Sequence, residues 1–218
     1  MDYLERLDDY VFELTDFLPA DLCDRWISDV ESEGFEPALI NGMQGAKRVP
    51  DIRNNDRLIR DDPVLAEELW HKLYPFLSKT IRKRRVVGLN ERLRFYRYDV
   101  GQKFDWHQDG YFERESGARS LFTFMIYLND DFEGGGTSFS DVYSGQTFPD
   151  FCVTPKKGSA LVFYHPVMHR GAPVVSGRKY VLRTDVMYSP EMFWTQTLAQ
   201  VGSQLRRPAC VSPPRYCR

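Results

Sequence analysis

Residues 98–110 read YDVGQKFDWHQDG and place His107 and Asp109 two positions apart in a stretch that otherwise resembles a strand edge. Side chains two residues apart on an extended strand project from the same face. One imidazole and one carboxylate can therefore meet at a single metal ion. A third ligand must come from another part of the chain.

The segment VFYHPVMHRGAPV, residues 162–174, offers two further histidines, His165 and His169. We prefer His169 because it follows a predicted strand and precedes a glycine and a proline that indicate a loop. His165 is the alternative. Pro166 opposes a helix at this point, which argues against a helical zinc site of the HxxxH type. Two histidines and one carboxylate make the facial triad that is typical of non-haem Fe(II) sites with open coordination positions.

Around these two segments the chain changes from helical to strand-like character. Amphipathic spacing predicts a helix over about residues 19–33, and Asp62 as N-cap with Pro63 at the first helical position predicts a second one. Short apolar runs predict strands at residues 93–98, 120–128, 137–139, 160–164 and 180–188. The sequence therefore predicts an α+β, mainly β fold: a double-stranded β-helix (jelly-roll, cupin-like) core with flanking N-terminal helices.

The length of 218 residues fits one domain with a sizeable core. We expect a single domain over residues 1–202, with a helical N-terminal part at about 1–85 and the jelly-roll core at about 86–190. Residues 203–218, SQLRRPACVSPPRYCR, are rich in Pro and Arg without hydrophobic periodicity, and we expect a mobile tail there.

The charge balance argues against a strong attraction to nucleic acid or to anionic membranes, since 29 Lys and Arg face 31 Asp and Glu. The dense basic run IRKRR, residues 81–85, is interpreted as the solvated end of the second helical region. No apolar run approaches the roughly 20 residues of a membrane span, and the N-terminus is acidic. Four scattered cysteines indicate free thiols. We expect a cytoplasmic protein without membrane association.

Taken in order, three segments resemble the prolyl 4-hydroxylase branch of the 2-oxoglutarate and Fe(II)-dependent oxygenases: YDVGQKFDWHQDG, FTFMIYLNDDFEGGGTSF and GSALVFYHPVMHRGAPVVSGRKY. The resemblance covers about residues 86–188. It implies that His107, Asp109 and His169 bind Fe(II), that 2-oxoglutarate and O₂ are cosubstrates, and that ascorbate serves as reductant.

The resemblance also implies a cation for the far carboxylate of 2-oxoglutarate. Lys179 lies ten positions after His169 and is the first candidate, while Arg183 is the second. On a strand both share one face with Val181 and Asp185. Tyr98 and Tyr127 match positions that surround the cosubstrate in the family, although core packing with a bonded hydroxyl explains a buried tyrosine equally well.

The function implied is hydroxylation of an unactivated C–H bond, coupled to decarboxylation of 2-oxoglutarate to succinate and CO₂. The substrate is expected to be a small molecule or a peptide, of prolyl or amino-acid-like type. Candidate substrate residues at the mouth are Arg53, Asn54, Asn55 and Trp106, for which solvated loop positions are the simpler interpretation.

Two other functions compete with this one. A nucleic-acid demethylase with the same iron chemistry would need basic and aromatic groups around a flipped base, which the slightly acidic chain does not favour. A non-catalytic jelly-roll binding protein would predict a broken triad, whereas every expected ligand is present here.

Overall fold

The computed structural model describes residues 10–42, 45–140 and 148–191. Its helices are α1 (Ala20–Glu33) and α2 (Pro63–Leu73), and a 3₁₀ turn (Tyr74–Phe76) follows α2. The strands are β1 (Val11–Leu14), β2 (Glu36–Pro37), β3 (Ile40–Gly42), β4 (Gly45–Lys47), β5 (Asp56–Asp61), β6 (Thr80–Ile81), β7 (Arg84–Leu89), β8 (Arg92–Tyr98), β9 (Phe104–His107), β10 (Arg119–Tyr127), β11 (Glu133–Gly134), β12 (Thr137–Ser140), β13 (Phe151–Val153), β14 (Ala160–Tyr164), β15 (Met168–Gly171), β16 (Val174–Ser176) and β17 (Lys179–Tyr188). The tail at 203–218 lies outside the described residues.

Two antiparallel sheets form the core of the fold. The major sheet has nine strands in the order β1-β14-β10-β17-β8-β5-β2, with β7 also pairing with β17 and β6 pairing with β7. The minor sheet has four strands in the order β13-β12-β15-β9. Short hairpin-like pairs, β3–β4 and β11–β16, complete the pairing. This mainly β arrangement with two helices confirms the predicted jelly-roll class.

The two predicted helices are confirmed with nearly the predicted limits. In α2 the Asp62 side chain accepts a hydrogen bond from the Leu65 N–H at 2.9 Å, and Pro63 occupies the first turn. Helix α1 buries Cys23 and Val30, and its Trp26 packs edge-to-face against Phe95 of the major sheet. Within the described ranges, neither helix is long and apolar enough to cross a membrane.

The two sides of strand β17 have different surroundings. Tyr180, Leu182 and Thr184 are buried on one side, as the period of two predicts. Lys179, Val181, Arg183 and Asp185 all line a cavity on the other side. The cavity lies between the two sheets, so the minor sheet faces this row of charged residues.

The prediction of a helical N-terminal part at about residues 1–85 needs correction, because the described residues of this part contain strands β1 to β6 and the start of β7 besides the two helices. Strand β5, DRLIRD, is short and highly charged, and its place in the sheet comes from pairing with β8 over six residues. The run IRKRR is not a helix end: Arg82 and Lys83 form a two-residue turn with φ of 47° and 60° between β6 and β7. Such turns favour Asn-Gly, so the sequence carried no signal for this hairpin.

Candidate metal centre and active site

His107 and His169 are directly paired residues of β9 and β15 in the minor sheet. Asp109 follows β9, and its backbone N–H donates to the carbonyl of His165 at 3.0 Å, which fixes the carboxylate beside the two rings. One ligand atom from each of the three side chains lies within 4.8 Å of the others. The structure thus brings the predicted triad together.

The hydrogen bonds of the two imidazoles prepare them to bind a cation. His107 Nδ1 lies 2.6 Å from the carbonyl of Asp105, and His169 Nδ1 lies 2.9 Å from that of Val167. Since a carbonyl can only accept, each Nδ1 must carry the proton, and each Nε2 keeps its lone pair. These Nε2 atoms lie 3.8 and 3.6 Å from the Asp109 carboxylate oxygens.

Burial keeps both rings neutral at ordinary pH. Burial first, and then the neighbouring His169, lower the pKa of His107 to about 3. Burial likewise lowers the pKa of His169. Phe104 stacks on His107 with ring centres 3.5 Å apart, which holds the ring in place. A neutral, oriented imidazole is the form that coordinates a metal.

Asp109 is held as a carboxylate by its surroundings. Burial alone would raise its pKa, but the Arg183 guanidinium 3.0 Å away and the neighbouring histidines together outweigh burial and hold the pKa of Asp109 far below its usual range. The Thr123 hydroxyl also donates to Asp109 Oδ2 at 2.5 Å. Both contacts use Oδ2, which leaves Oδ1 available to a metal.

Lys179 is a buried cation without a carboxylate partner among the described residues. Only 3% of it is exposed, and its ammonium donates to the Gly135 carbonyl at 2.5 Å. Burial lowers its pKa to about 7, because the charged form has lost its hydration. A bound carboxylate would relieve this cost.

Arg183, by contrast, already has its counter-ions. Its Nη2 lies 3.0 Å from Asp109 and 3.2 Å from Asp185, so its charge is balanced inside the protein.

The two candidate tyrosines differ in position. Tyr98 lines the cavity, and burial raises its pKa to about 12. Tyr127 is fully buried, and its hydroxyl bonds Thr137 Oγ1 at 2.6 Å. Thr137, rather than Tyr127, lines the cavity.

The three segments quoted above lie within a match to a known family. Residues 93–184 match the family described as the 2OG-Fe(II) oxygenase superfamily. A putative prolyl 4-hydroxylase of Acanthamoeba polyphaga mimivirus is 34% identical over 191 residues, which cover 78% of this chain and 71% of the relative. The chain belongs to the 2-oxoglutarate and Fe(II)-dependent oxygenases. Its relatives place it in the prolyl 4-hydroxylase-like branch.

The match covers only part of the length of several relatives. Prolyl 4-hydroxylase 2 of Arabidopsis thaliana is 27% identical over 188 residues, which cover 72% of this chain but 60% of that protein. For the probable prolyl 4-hydroxylase 9 of the same plant, the matched region covers 44% of the relative. The chain therefore spans about half the length of these relatives.

Solved structures agree with the fold of the oxygenase. The viral collagen prolyl hydroxylase of Paramecium bursaria Chlorella virus-1 gives a TM-score of 0.56 at 21% identity, covering 82% of this chain and 96% of that one. A prolyl hydroxylase from Trichoplax adhaerens, in complex with a hypoxia inducible factor peptide fragment, gives 0.62 at 14% identity, with coverage of 89% and 87%. At these identities the likeness supports the jelly-roll core alone.

The donor set of the oxygenase fits the iron and the cosubstrate that its family uses. Two neutral imidazole nitrogens and one carboxylate oxygen converge, which is the set that non-haem Fe(II) prefers. The same cavity holds Lys179, whose ammonium lacks a carboxylate partner in the described part of the chain, so a dicarboxylate also fits. The cavity volume of about 660 Å³ lies in the range of ligand sites.

Other predicted site residues divide into those at the cavity and those away from it. His165, the alternative third ligand, is buried with its Nε2 3.7 Å from Asp185 Oδ1 and does not join the triad. Arg53 and Trp106 line the cavity. Asn54 instead accepts from the backbone N–H of Lys103 at 2.8 Å.

Asn55 supports Arg53 rather than facing the cavity. Its Oδ1 accepts from Arg53 Nε at 2.8 Å, and its amide donates to the Asp56 carbonyl at 2.7 Å. Both asparagines are thus accounted for by local structure. Of the four predicted mouth residues, Arg53 and Trp106 line the cavity, and Asn54 and Asn55 do not.

Sequence reasoning missed the charged wall of the cavity on β5 and β8. Arg57, Arg94 and Tyr96 all line it. A signal existed in RLRFYRY, residues 92–98, where Arg94, Tyr96 and Tyr98 alternate with Leu93 and Phe95. That alternation marks a polar face on a strand whose other face carries the buried apolar residues Leu93 and Phe95.

Proposed function

We propose that this protein is a 2-oxoglutarate-dependent dioxygenase that hydroxylates an unactivated C–H bond. One observation carries the proposal: the cavity that holds the His107, Asp109 and His169 ligand atoms also holds Lys179, a buried cation with no carboxylate partner among the described residues. A metal site and a carboxylate anchor in one cavity match the needs of Fe(II) and 2-oxoglutarate.

Each residue has a defined task in this proposal. His107 and His169 would hold the metal through Nε2, and Asp109 would hold it through Oδ1. Lys179 binds the far carboxylate of 2-oxoglutarate by a charge-assisted hydrogen bond. Bound iron with 2-oxoglutarate and O₂ supplies the oxidising power for hydroxylation, with release of succinate and CO₂. Arg183 keeps Asp109 ionised, and the backbone carbonyls of Asp105 and Val167 keep both rings in the metal-binding tautomer.

The substrate class proposed is a prolyl residue in a peptide, or an amino-acid-like molecule. Relatives of this chain carry the name prolyl 4-hydroxylase, and the Trichoplax neighbour holds a peptide fragment. At the cavity mouth, Trp106, Tyr111 and Phe112 are exposed by 39%, 58% and 40%, and such aromatic groups suit contact with a peptide.

The test needs no knowledge of the substrate. Fe(II) and 2-oxoglutarate are added to the protein without oxygen, and the weak visible charge-transfer band of an Fe(II)–keto-acid chelate is recorded. Wild type should give the band. His169→Ala should abolish it, and Lys179→Ala should require at least about tenfold more 2-oxoglutarate, since one charged hydrogen bond is lost.

Matched controls separate the site from general effects. His71→Ala and Lys72→Ala remove exposed residues of α2, and both variants should keep the wild-type band and titration. If wild type gives no band and binds neither ligand, the proposed function is wrong. If the band persists in His169→Ala, the assigned triad is wrong although the activity stands.

A further inference from the structure

The wall of the cavity that the major sheet forms carries more cations than the proposed iron and 2-oxoglutarate chemistry requires. In the register of the sheet, Arg57 of β5 lies beside Tyr96 of β8, and Arg94 of β8 lies beside Arg183 of β17. These side chains line the same cavity as the triad. Arg94 and Arg183 lie 3.3 and 3.2 Å from oxygens of Asp185, which they share.

The charges in the lining do not balance. Its cationic side chains are Arg53, Arg57, Arg94, Lys179 and Arg183, against the carboxylates of Asp109 and Asp185. Fe(II) and doubly ionised 2-oxoglutarate cancel each other, so a positive surplus remains when both are bound. Lys179 is then satisfied by the cosubstrate, and Asp109 and Asp185 serve Arg94 and Arg183. Three cations of the lining thus lack a carboxylate partner among the described residues: Lys179, which is assigned to the cosubstrate, and Arg53 and Arg57, which are not.

Arg53 is built into the wall with unused donor capacity. It is 7% exposed, and its guanidinium lies 4.6 Å from the ring centre of Tyr96 and 4.4 Å from that of Phe104. Its Nε donates a hydrogen bond to Asn55 Oδ1, whereas its Nη2 is buried without a hydrogen-bond partner among the described residues. A buried guanidinium nitrogen without an acceptor is costly, and a ligand oxygen would remove that cost.

Arg57 is half-buried and lies opposite Glu36 of β2 in the register of the sheet. No carboxylate lies within ion-pair distance of it in the described part of the chain. Burial lowers its pKa, and the positive charges of Arg53 and Arg94 lower it further, while Glu36 raises it. Burial would raise the pKa of Tyr96 beside it, but Arg53, Arg183 and Arg94 outweigh burial and bring it down to about 8.

Arginines on the outer face of β5 and β8 have carboxylate partners, as do the cavity-lining Arg94 and Arg183. Arg97 of β8 binds Glu31 at 3.2 Å and Asp56 at 3.0 Å, and Arg60 of β5 binds Glu33. Among the described residues, Arg53 and Arg57 are thus the cavity-lining arginines without a carboxylate at ion-pair distance.

We propose that Arg53 and Arg57 form a subsite for a carboxylate of the substrate, next to the carbon that is hydroxylated. This deepens and rests on the proposed function, and it selects an acidic residue beside the target proline, or the carboxylate of a free amino acid. A planar guanidinium pairs with a carboxylate through two parallel hydrogen bonds, so recognition is specific for that group.

Binding of labelled peptides without oxygen tests the subsite independently of turnover. Fluorescence anisotropy is measured on protein loaded with Fe(II) and 2-oxoglutarate, using Gly-Gly-Glu-Pro-Glu-Gly-Gly and its counterpart with glutamine for glutamate. Wild type should bind the glutamate peptide at least about tenfold tighter, as expected for charge-assisted hydrogen bonds. Competition by L-proline and by L-prolinamide distinguishes a free amino-acid carboxylate from an acidic side chain.

Variants show which residue is responsible for the preference between the glutamate and glutamine peptides. Arg57→Gln should remove the preference, and Arg57→Glu should favour a peptide with lysine in place of glutamate. Arg60→Gln lies on the opposite face of the same strand and should behave as wild type. Affinity for 2-oxoglutarate should be unchanged in all three variants, because Lys179 is untouched.

Each outcome decides one claim. Equal binding of both peptides, together with equal competition by L-proline and L-prolinamide, overturns the carboxylate subsite even if succinate is released. A preference that survives in Arg57→Gln also overturns it. The third outcome is that wild type prefers the glutamate peptide, that Arg57→Gln loses this preference, and that wild type releases no succinate in air. This outcome supports the subsite and contradicts the proposed function.

Discussion

His107 and His169 occupy directly opposed positions on β9 and β15, and their ring centres lie 4.2 Å apart with both Nε2 atoms turned toward Asp109. The two strands bring together residues that lie far apart in sequence. Because the donor atoms converge in the folded state and not in the unfolded chain, metal binding should stabilise the fold.

The first prediction is that Fe(II) or Mn(II), added without oxygen, raises the melting temperature of wild type. At a free metal concentration of 100 times Kd the stabilisation is about 2.7 kcal/mol. His107→Ala should lose the response, since only two ligands remain, whereas His71→Ala on the exposed face of α2 should keep it. Differential scanning fluorimetry with a metal titration measures this, and an unchanged response in His107→Ala would contradict the triad.

The second prediction concerns the pH dependence of 2-oxoglutarate binding. In the free protein burial lowers the pKa of Lys179 from 10.5 to about 7, and only the protonated form binds a carboxylate well. Affinity should therefore fall as pH rises: between pH 6 and 8 the Kd should increase about tenfold, as the competent fraction falls. Isothermal titration calorimetry at saturating Mn(II) measures the profile.

Lys179→Arg provides the control for this profile, because an arginine stays charged throughout the range. Its affinity for 2-oxoglutarate should vary little between pH 6 and 8, whatever its absolute value. His107 does not interfere, since its pKa of about 3 lies below the window. A steep profile in Lys179→Arg would mean that another group controls binding.

The third prediction is that Arg183 stabilises the protein through two buried carboxylates. Arg183→Met leaves Asp109 and Asp185 without this partner, and breaking such a buried pair costs about 3 kcal/mol. Urea unfolding of the metal-free protein at pH 7 measures the loss. Arg60→Gln, which removes the ion pair with the half-exposed Glu33, should change stability by less than about 1 kcal/mol.

The loss in Arg183→Met should depend on pH with a defined sign. The pKa of Asp109 is depressed in the folded protein relative to its ordinary 3.8, so its contribution is present above about pH 4 and is lost as pH falls. The difference between wild type and variant should therefore shrink in acid. A difference that grows below pH 4 would contradict the role of Asp109.

The sequence predicts the fold and the metal ligands well because both depend on local patterns. The alternation of β17 placed Lys179 and Arg183 on one face, and the two-residue spacing of His107 and Asp109 placed them together. Sequence spacing could not decide between Lys179 and Arg183 as anchor. Their difference is the presence of Asp109 and Asp185 beside Arg183, and it appears only when the two sheets are packed.

The cationic wall was missed for a similar reason. Arg57 belongs to DRLIRD, a charged segment that is typical of a protein surface. Pairing of this segment with β8 places Arg57 at the cavity. The run Gly134–Gly135–Gly136 leads from β11 into β12, with positive φ at its first two glycines. Its second glycine has a further role, because it forms the floor on which the Lys179 side chain rests.

The fourth prediction tests that role of Gly135. A Cβ there would lie 3.1 Å from Lys179 Cδ and 2.9 Å from Phe132, at a φ of 63°. Gly135→Ala should therefore displace the ammonium and weaken 2-oxoglutarate binding severalfold or more, besides a backbone cost of about 1 kcal/mol. Gly101→Ala, at a φ of 81° with nothing within 4 Å, should show the backbone cost alone. Calorimetric titrations with 2-oxoglutarate and urea unfolding of both variants separate the displacement of Lys179 from the backbone cost. Equal loss of 2-oxoglutarate affinity in Gly135→Ala and Gly101→Ala would mean that backbone strain alone is responsible.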